Sequence, residues 1–119
     1  MTPAAGQTRD GGSLADAFAA AAATPGVLAL GANCCDPHEF EAAARAVDSS
    51  RAGGSGIPVV FYPNSGEVWD AAARMWRGAP TVSGLASDWV AAGARLVGGC
   101  CRVTPAQIHA MAAAVAAAP

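Results

Sequence analysis

All four cysteines of this chain fall in two adjacent pairs, Cys34-Cys35 and Cys100-Cys101. Val27-Leu28-Ala29-Leu30-Gly31-Ala32-Asn33 precedes the first pair and Ala94-Arg95-Leu96-Val97-Gly98-Gly99 the second. Asp36-Pro37 and Thr104-Pro105, both helix-start signatures, follow them. The thiols therefore stand where apolar runs end and loops begin. Metal chemistry suits that placement. Zinc binds thiolates at about 2.3 Å and prefers four tetrahedral ligands. Cysteines distant in sequence can meet on one ion if their strands lie close in a parallel sheet. Two neighbouring cysteines both reach it only if the backbone turns between them, and Gly98-Gly99 is expected to supply that turn through positive φ. Three protein thiolates leave a fourth position open, which is the catalytic arrangement. An open position suits a thiol substrate, bound as thiolate and able to attack an electrophilic carbon. On the residues alone, a closed zinc site using all four cysteines and buried free thiols stand as alternatives. A disulfide between adjacent cysteines would be strained. The C-x-x-C spacing of redox motifs and zinc ribbons is absent.

The chain that must position these thiols has 119 residues, the size of one domain. It is 53% hydrophobic and 13% charged, which excludes disorder over most of its length. Much of the apolar share is alanine, so the core is expected to be thin in large side chains. The net charge is -2 and no stretch concentrates basic residues, which argues against nucleic acid or an anionic membrane as partner. Ala19 to Ala23 is too short a run to span a bilayer. No secretory signal is visible, and the expected location is cytoplasmic, where thiols stay reduced.

Residues 1–12 read as a flexible N-terminal segment and residues 13–119 as the folded domain. Ser13 caps a helix over Leu14 to Ala23, ended by Thr24-Pro25-Gly26. Val27 to Leu30 reads as a buried strand. Asp36 caps a helix to about Arg51, with Pro37 at its first position. Gly53-Gly54-Ser55-Gly56 is a flexible connection without the Lys of a phosphate loop. Ile57 to Tyr62 is a second strand, and Pro63-Asn64-Ser65-Gly66 a turn. Glu67 to Trp76 is expected to be helical, with Trp69, Ala73 and Trp76 on one face. Ser83 to Ala92 is a further short helix and Ala94 to Val97 a third strand. Thr104-Pro105-Ala106-Gln107 has the capping-box form and starts a last helix faced by Ile108, Met111 and Val115. Apolar strands separated by helices imply an α/β fold with parallel strands. Its functional face lies at the strands' C-terminal ends, where both cysteine pairs and the Tyr62 turn fall.

Three segments in order, Gly31-Ala32-Asn33-Cys34, Tyr62-Pro63-Asn64-Ser65-Gly66-Glu67 and Gly98-Gly99-Cys100-Cys101-Arg102, resemble the C-terminal part of the homocysteine S-methyltransferase family. Trp69-Asp70 and Trp89 to Arg95 are similar to it as well. The resemblance implies a (β/α)8 barrel that holds zinc with Cys34, Cys100 and Cys101 and methylates homocysteine to methionine. Cys35 falls outside the implied ligand set. The Tyr-Pro-Asn-Ser-Gly-Glu segment is most similar to the branch whose methyl donor is S-methylmethionine or S-adenosylmethionine. A complete barrel needs about 250 residues. This chain has room for three strands, similar to the sixth, seventh and eighth, so the expectation is a C-terminal barrel fragment. Self-association or a complementing N-terminal barrel piece would cover its exposed strand edges.

Other residues carry paired expectations. Asn33 orients the first thiolate or forms the turn. Tyr62 and Asn64 touch substrate or serve the turn. Glu67 binds a substrate ammonium group or is a first-turn helix acid. His38, near Cys34-Cys35, is a metal ligand or a solvent-facing helix residue, the latter favoured, and His109 reads as a surface residue. Arg102 offsets negative charge at the site, binds a carboxylate or makes a rim salt bridge. The three tryptophans read as packing residues.

Overall fold

The computed structural model of the chain describes residues 6–50 and 56–117, Ser50 by its backbone alone. In chain order the elements are α1 (Leu14–Ala22), β1 (Leu30–Asn33), α2 (Phe40–Ser50), β2 (Val59–Tyr62), β3 (Val68–Asp70), β4 (Met75–Arg77), α3 (Ala86–Ala91), β5 (Ala94–Val97) and α4 (Pro105–Ala116). Single 3-10 turns at Pro37–Glu39 and Val82–Gly84 precede α2 and α3. Helix starts follow the local chemistry. The Ser13 hydroxyl accepts from the Asp16 N–H at 3.2 Å. The Asp36 carboxylate accepts from the His38 N–H at 2.9 Å. Thr104 and Gln107 form the reciprocal capping box, with Gln107 Oε1 2.8 Å from the Thr104 nitrogen.

β1, β2 and β5 form one parallel sheet with β2 in the centre. This is the α/β arrangement expected from apolar runs alternating with helical segments. Leu30 pairs with Val59 and Asn33 with Tyr62. Side chains alternate across a strand. Val59 and Phe61 therefore turn to the buried side, while Val60 and Tyr62 face the other. Phe61 is the centre of the core. Its ring lies edge-on to Phe40 at 5.3 Å and to Trp89 at 5.0 Å, and Val47, Val82 and Met111 pack in the same cluster. The opposite side is less covered, with Tyr62 39% and Leu96 48% exposed. Among the described residues no helix is long and apolar enough to cross a membrane.

The structure departs from the sequence expectations in several places, the smallest being that β2 begins at Val59 rather than Ile57. β1 lies at Leu30–Asn33 rather than Val27–Leu30. The ladder to β2 decides this, and Leu28 is left 83% exposed. Gly31 belongs inside the strand because the chains approach closely there: a Cβ would sit 1.6 Å from the Val60 carbonyl oxygen. Second, Glu67 to Trp76 is not a helix. It holds an antiparallel hairpin, β3 on β4, with Trp69 directly opposite Trp76 and their rings 5.5 Å apart. Asp70 organises the turn by accepting from the Ala73 N–H at 2.9 Å and from Arg77 Nε at 2.8 Å, while Arg74 takes φ 53°. Spacings of four and three residues mimic helical periodicity, but a cross-strand pair explains both rings. Third, the stretch from Ser83 to Ala92 is helical only over Ala86–Ala91. Fourth, Ile108 is 42% exposed, so the buried face of α4 centres on Met111. The expected end of α2 at Arg51 and most of the glycine-rich connection (Gly53-Gly54-Ser55) lie outside the described residues, as do residues 1–5 of the N-terminal segment. Within that segment the Gly11 N–H donates to the Thr8 carbonyl at 3.0 Å, and the first residue of α1 ties to it, Leu14 N–H donating to the Gly6 carbonyl at 3.0 Å.

Candidate metal centre

The exit of the central strand splints the two thiol loops together. Backbone hydrogen bonds join it to each side. The Cys34 N–H donates to Tyr62 O at 3.3 Å and the Asn64 N–H to Cys35 O at 3.0 Å. On the other side the Cys100 N–H donates to Pro63 O at 2.7 Å and the Ser65 N–H to Cys101 O at 3.0 Å. β1 and β5 flank β2, so cysteines far apart in sequence arrive on one end of the sheet.

There the sulfurs converge. Cys34 Sγ lies 2.7 Å from Cys100 Sγ and 3.3 Å from Cys101 Sγ. All three lie within 4.8 Å of one another. Cys35 points the other way and is buried at 2% exposure in the core, outside the cluster. His38 is exposed and not part of it. The turn that brings both Cys100 and Cys101 to Cys34 does not come from glycine φ. Neither Gly98 nor Gly99 has positive φ; Cys34 (54°) and Arg102 (66°) do. Gly99 is needed for another reason: a Cβ would fall 2.3 Å from Val103 Cγ1.

The three thiols differ electrostatically. Hydrogen bonding with Cys100 holds the Cys34 thiol below its ordinary pKa, against the effect of burial. Cys101 is pushed up to about 11, first by its hydrogen bond with Cys34 and then by burial and the neighbouring sulfur charges. Cys35 is pushed up to about 12, chiefly by burial and then by Glu39. Negative charge on the neighbouring sulfurs thus opposes ionisation of Cys101. A cation reverses that opposition. The donor set fits a thiophilic ion. A tetrahedral trithiolate with bonds of about 2.3 Å needs sulfurs about 3.8 Å apart, a spread of about 1 Å beyond the shortest separation here.

The remaining site residues take different places. Asn33 ends β1, exposed, and lines a cleft of about 410 Å³ beside Cys34 with Gln7, Arg9, Leu14 and Gly31. Tyr62 is exposed at the end of β2. Asn64 serves the turn, its Oδ1 accepting from the Gly66 N–H at 2.9 Å. Glu67 is held by Arg102 in a two-point pair, Nε to Oε2 at 3.0 Å and Nη2 to Oε1 at 2.9 Å. Ser65, expected only as part of the turn and of the Tyr62–Glu67 segment, is fully buried and donates its hydroxyl to Glu67 at 2.8 Å.

A three-stranded parallel α/β sheet with three thiols converging at its C-terminal end presents a donor set of the kind that could hold a metal ion. The chain belongs to the homocysteine S-methyltransferase family, whose model matches residues 1–115. It is 42% identical over 108 residues to the homocysteine S-methyltransferase of Escherichia coli (strain K12), covering 87% of this chain and 34% of that protein. To homocysteine S-methyltransferase 1 of Zea mays it is 38% identical over 106 residues, covering 85% and 32%. The crystal structure of the metallated form of the homocysteine methyltransferase MmuM from Escherichia coli superposes with a TM-score of 0.63 at 36% identity, over 95% of this chain and 33% of that one. The chain spans about a third of the length of these relatives.

Proposed function

We propose that this chain is the thiol-activating part of a homocysteine S-methyltransferase, equivalent to the last three strands of a (β/α)8 barrel. Cys34, Cys100 and Cys101 hold zinc, and the reaction moves a methyl group from a sulfonium donor, S-methylmethionine or S-adenosylmethionine, to the homocysteine thiol to give methionine. The observation that carries this reading is the convergence of three Sγ atoms within 4.8 Å from the ends of the two outer strands. Zinc bound there would offer an open position at which a substrate thiol is held as thiolate. The chain's own contribution is to orient that thiol. Asn33, beside Cys34 in the cleft, and Tyr62, between the thiol loops, are the side chains proposed to touch it. The cytoplasm, where the cysteines stay reduced, is the proposed location.

A second reading is that this chain binds zinc and thiol without turnover of its own, as a split-enzyme half or an inactive remnant. Metal analysis and methionine formation from homocysteine and S-methylmethionine separate the readings. Near-stoichiometric zinc that Cys100→Ala abolishes supports the site, and zinc uptake indifferent to that change refutes it. Turnover that appears only on adding an N-terminal barrel piece identifies the split enzyme; zinc without turnover under both conditions identifies the remnant.

A further inference from the structure

Cys101 is the exposed member of the trio, and it sits on a loop with no regular structure around it. Something must aim it. Its own carbonyl accepts from the Ser65 N–H at 3.0 Å. The next residue, Arg102, adopts a left-handed φ of 66°, which an L side chain takes only against steric opposition. The two-point pair with Glu67 fixes the Arg102 side chain, and Glu67 is held in turn by the Ser65 hydroxyl at 2.8 Å. The cycle Ser65–Glu67–Arg102–Cys101 closes on itself. Ser65 anchors it: the side chain is fully buried, and the Ser65 carbonyl accepts from Thr81 N–H at 2.8 Å and Val82 N–H at 3.3 Å. Glu67 is 10% exposed, and both its carboxylate oxygens are engaged within the cycle.

We propose that Ser65, Glu67 and Arg102 are positioning residues that turn the Cys101 thiol toward Cys34 and so complete the three-sulfur donor set. This rests on the metal-centre reading above. It also gives Glu67 a role other than binding a substrate ammonium group, since an ammonium would have to displace Arg102. A planar guanidinium meeting a carboxylate at two points fixes orientation, which a lysine at one point does not.

The test uses cobalt in place of zinc, read by sulfur-to-cobalt charge-transfer absorption, with thermal melts as the folding control. The parent chain should show the intensity of three thiolates. Glu67→Gln and Arg102→Gly should lower it toward that of two and weaken cobalt binding about 10- to 100-fold, the usual effect of losing an outer partner of a metal ligand. Arg102→Gly takes the left-handed φ without strain, so it keeps the fold while removing the clamp. The reversed pair, Glu67→Arg with Arg102→Glu, should recover part of the loss. Folded variants with parental intensity and affinity would overturn the proposal. A metal-free measurement keeps it independent of the metal reading. In a Cys100→Ser background, dibromobimane should cross-link Cys34 to Cys101, and Glu67→Gln should reduce the yield several-fold; an unchanged yield overturns the proposal. Parental cobalt binding that is absent altogether, with clamp-dependent cross-linking, would sink the metal centre and leave the positioning role standing.

Discussion

Glu67 and Cys35 show how differently two side chains near the same thiols behave. Pairing with Arg102, and then the Ser65 hydroxyl, hold the Glu67 carboxyl below its ordinary range. A depressed folded-state pKa stabilises the fold above the carboxyl's ordinary value, and that contribution disappears as pH falls through the folded value. Thermal melts from pH 7 to pH 3 should therefore show the gap between the parent chain and Glu67→Gln closing on the acid side. A gap that stays constant would contradict the pairing. Cys35 is a core residue, not a donor. Cys35→Ala should leave metal stoichiometry intact while lowering stability by about 1 kcal/mol, through loss of a small buried group; loss of metal would place it in the donor set. The sequence already separated Cys35 from the other three through its resemblance to the family's motifs. Which residues take positive φ was not legible, because Cys34 and Arg102 adopt left-handed backbone that their residue types do not favour. The burial of Ser65 was hidden as well: it comes from Thr81, Val82 and Cys101 closing round it, not from its neighbours in the chain.

The elements were most legible where local chemistry decides them. α4 starts at its capping box and α1 at Ser13, as their residues dictate. They were least legible where a partner decides. Gly31 looks like a loop residue until Val60 is placed beside it, and the segment with Trp69 and Trp76 looks helical until the two rings face each other across a hairpin. The glycine makes the sharper test. Gly31→Ala drives a methyl into the backbone of β2 and should cost more than about 3 kcal/mol in a urea titration, beyond ordinary overpacking. Gly84→Ala, where a Cβ meets nothing within 4 Å, should stay within about 0.5 kcal/mol of the parent. Equal effects at the two positions would mean that β1 and β2 do not approach as described.

Taken whole, the chain is a slab of 42 × 39 × 21 Å, a three-stranded parallel sheet with helices packed on one side and the β3–β4 hairpin beside it. Composition anticipated the thin core, since its large members are few: Phe18, Phe40, Phe61, Trp89 and Met111 among many alanines. What the sequence could not convey is that the two outer strands meet only through the central strand, its exit loop and the shared core. Among the described residues β1 and β5 each pair only with β2. Their thiols, 66 residues apart in sequence, meet across its end. An ion shared by Cys34 and Cys100 would therefore act as a cross-link, closing a long loop in the unfolded chain. For a covalent tie of that span, chain entropy alone gives about 4 kcal/mol. Chelation should lower the melting temperature of the zinc-loaded chain by several degrees, and excess zinc should raise it with concentration; a melting temperature indifferent to both would rule out the cross-link. The three thiols gathered at the end of the central strand would then also act as a clasp that keeps the sheet's two margins from drifting apart.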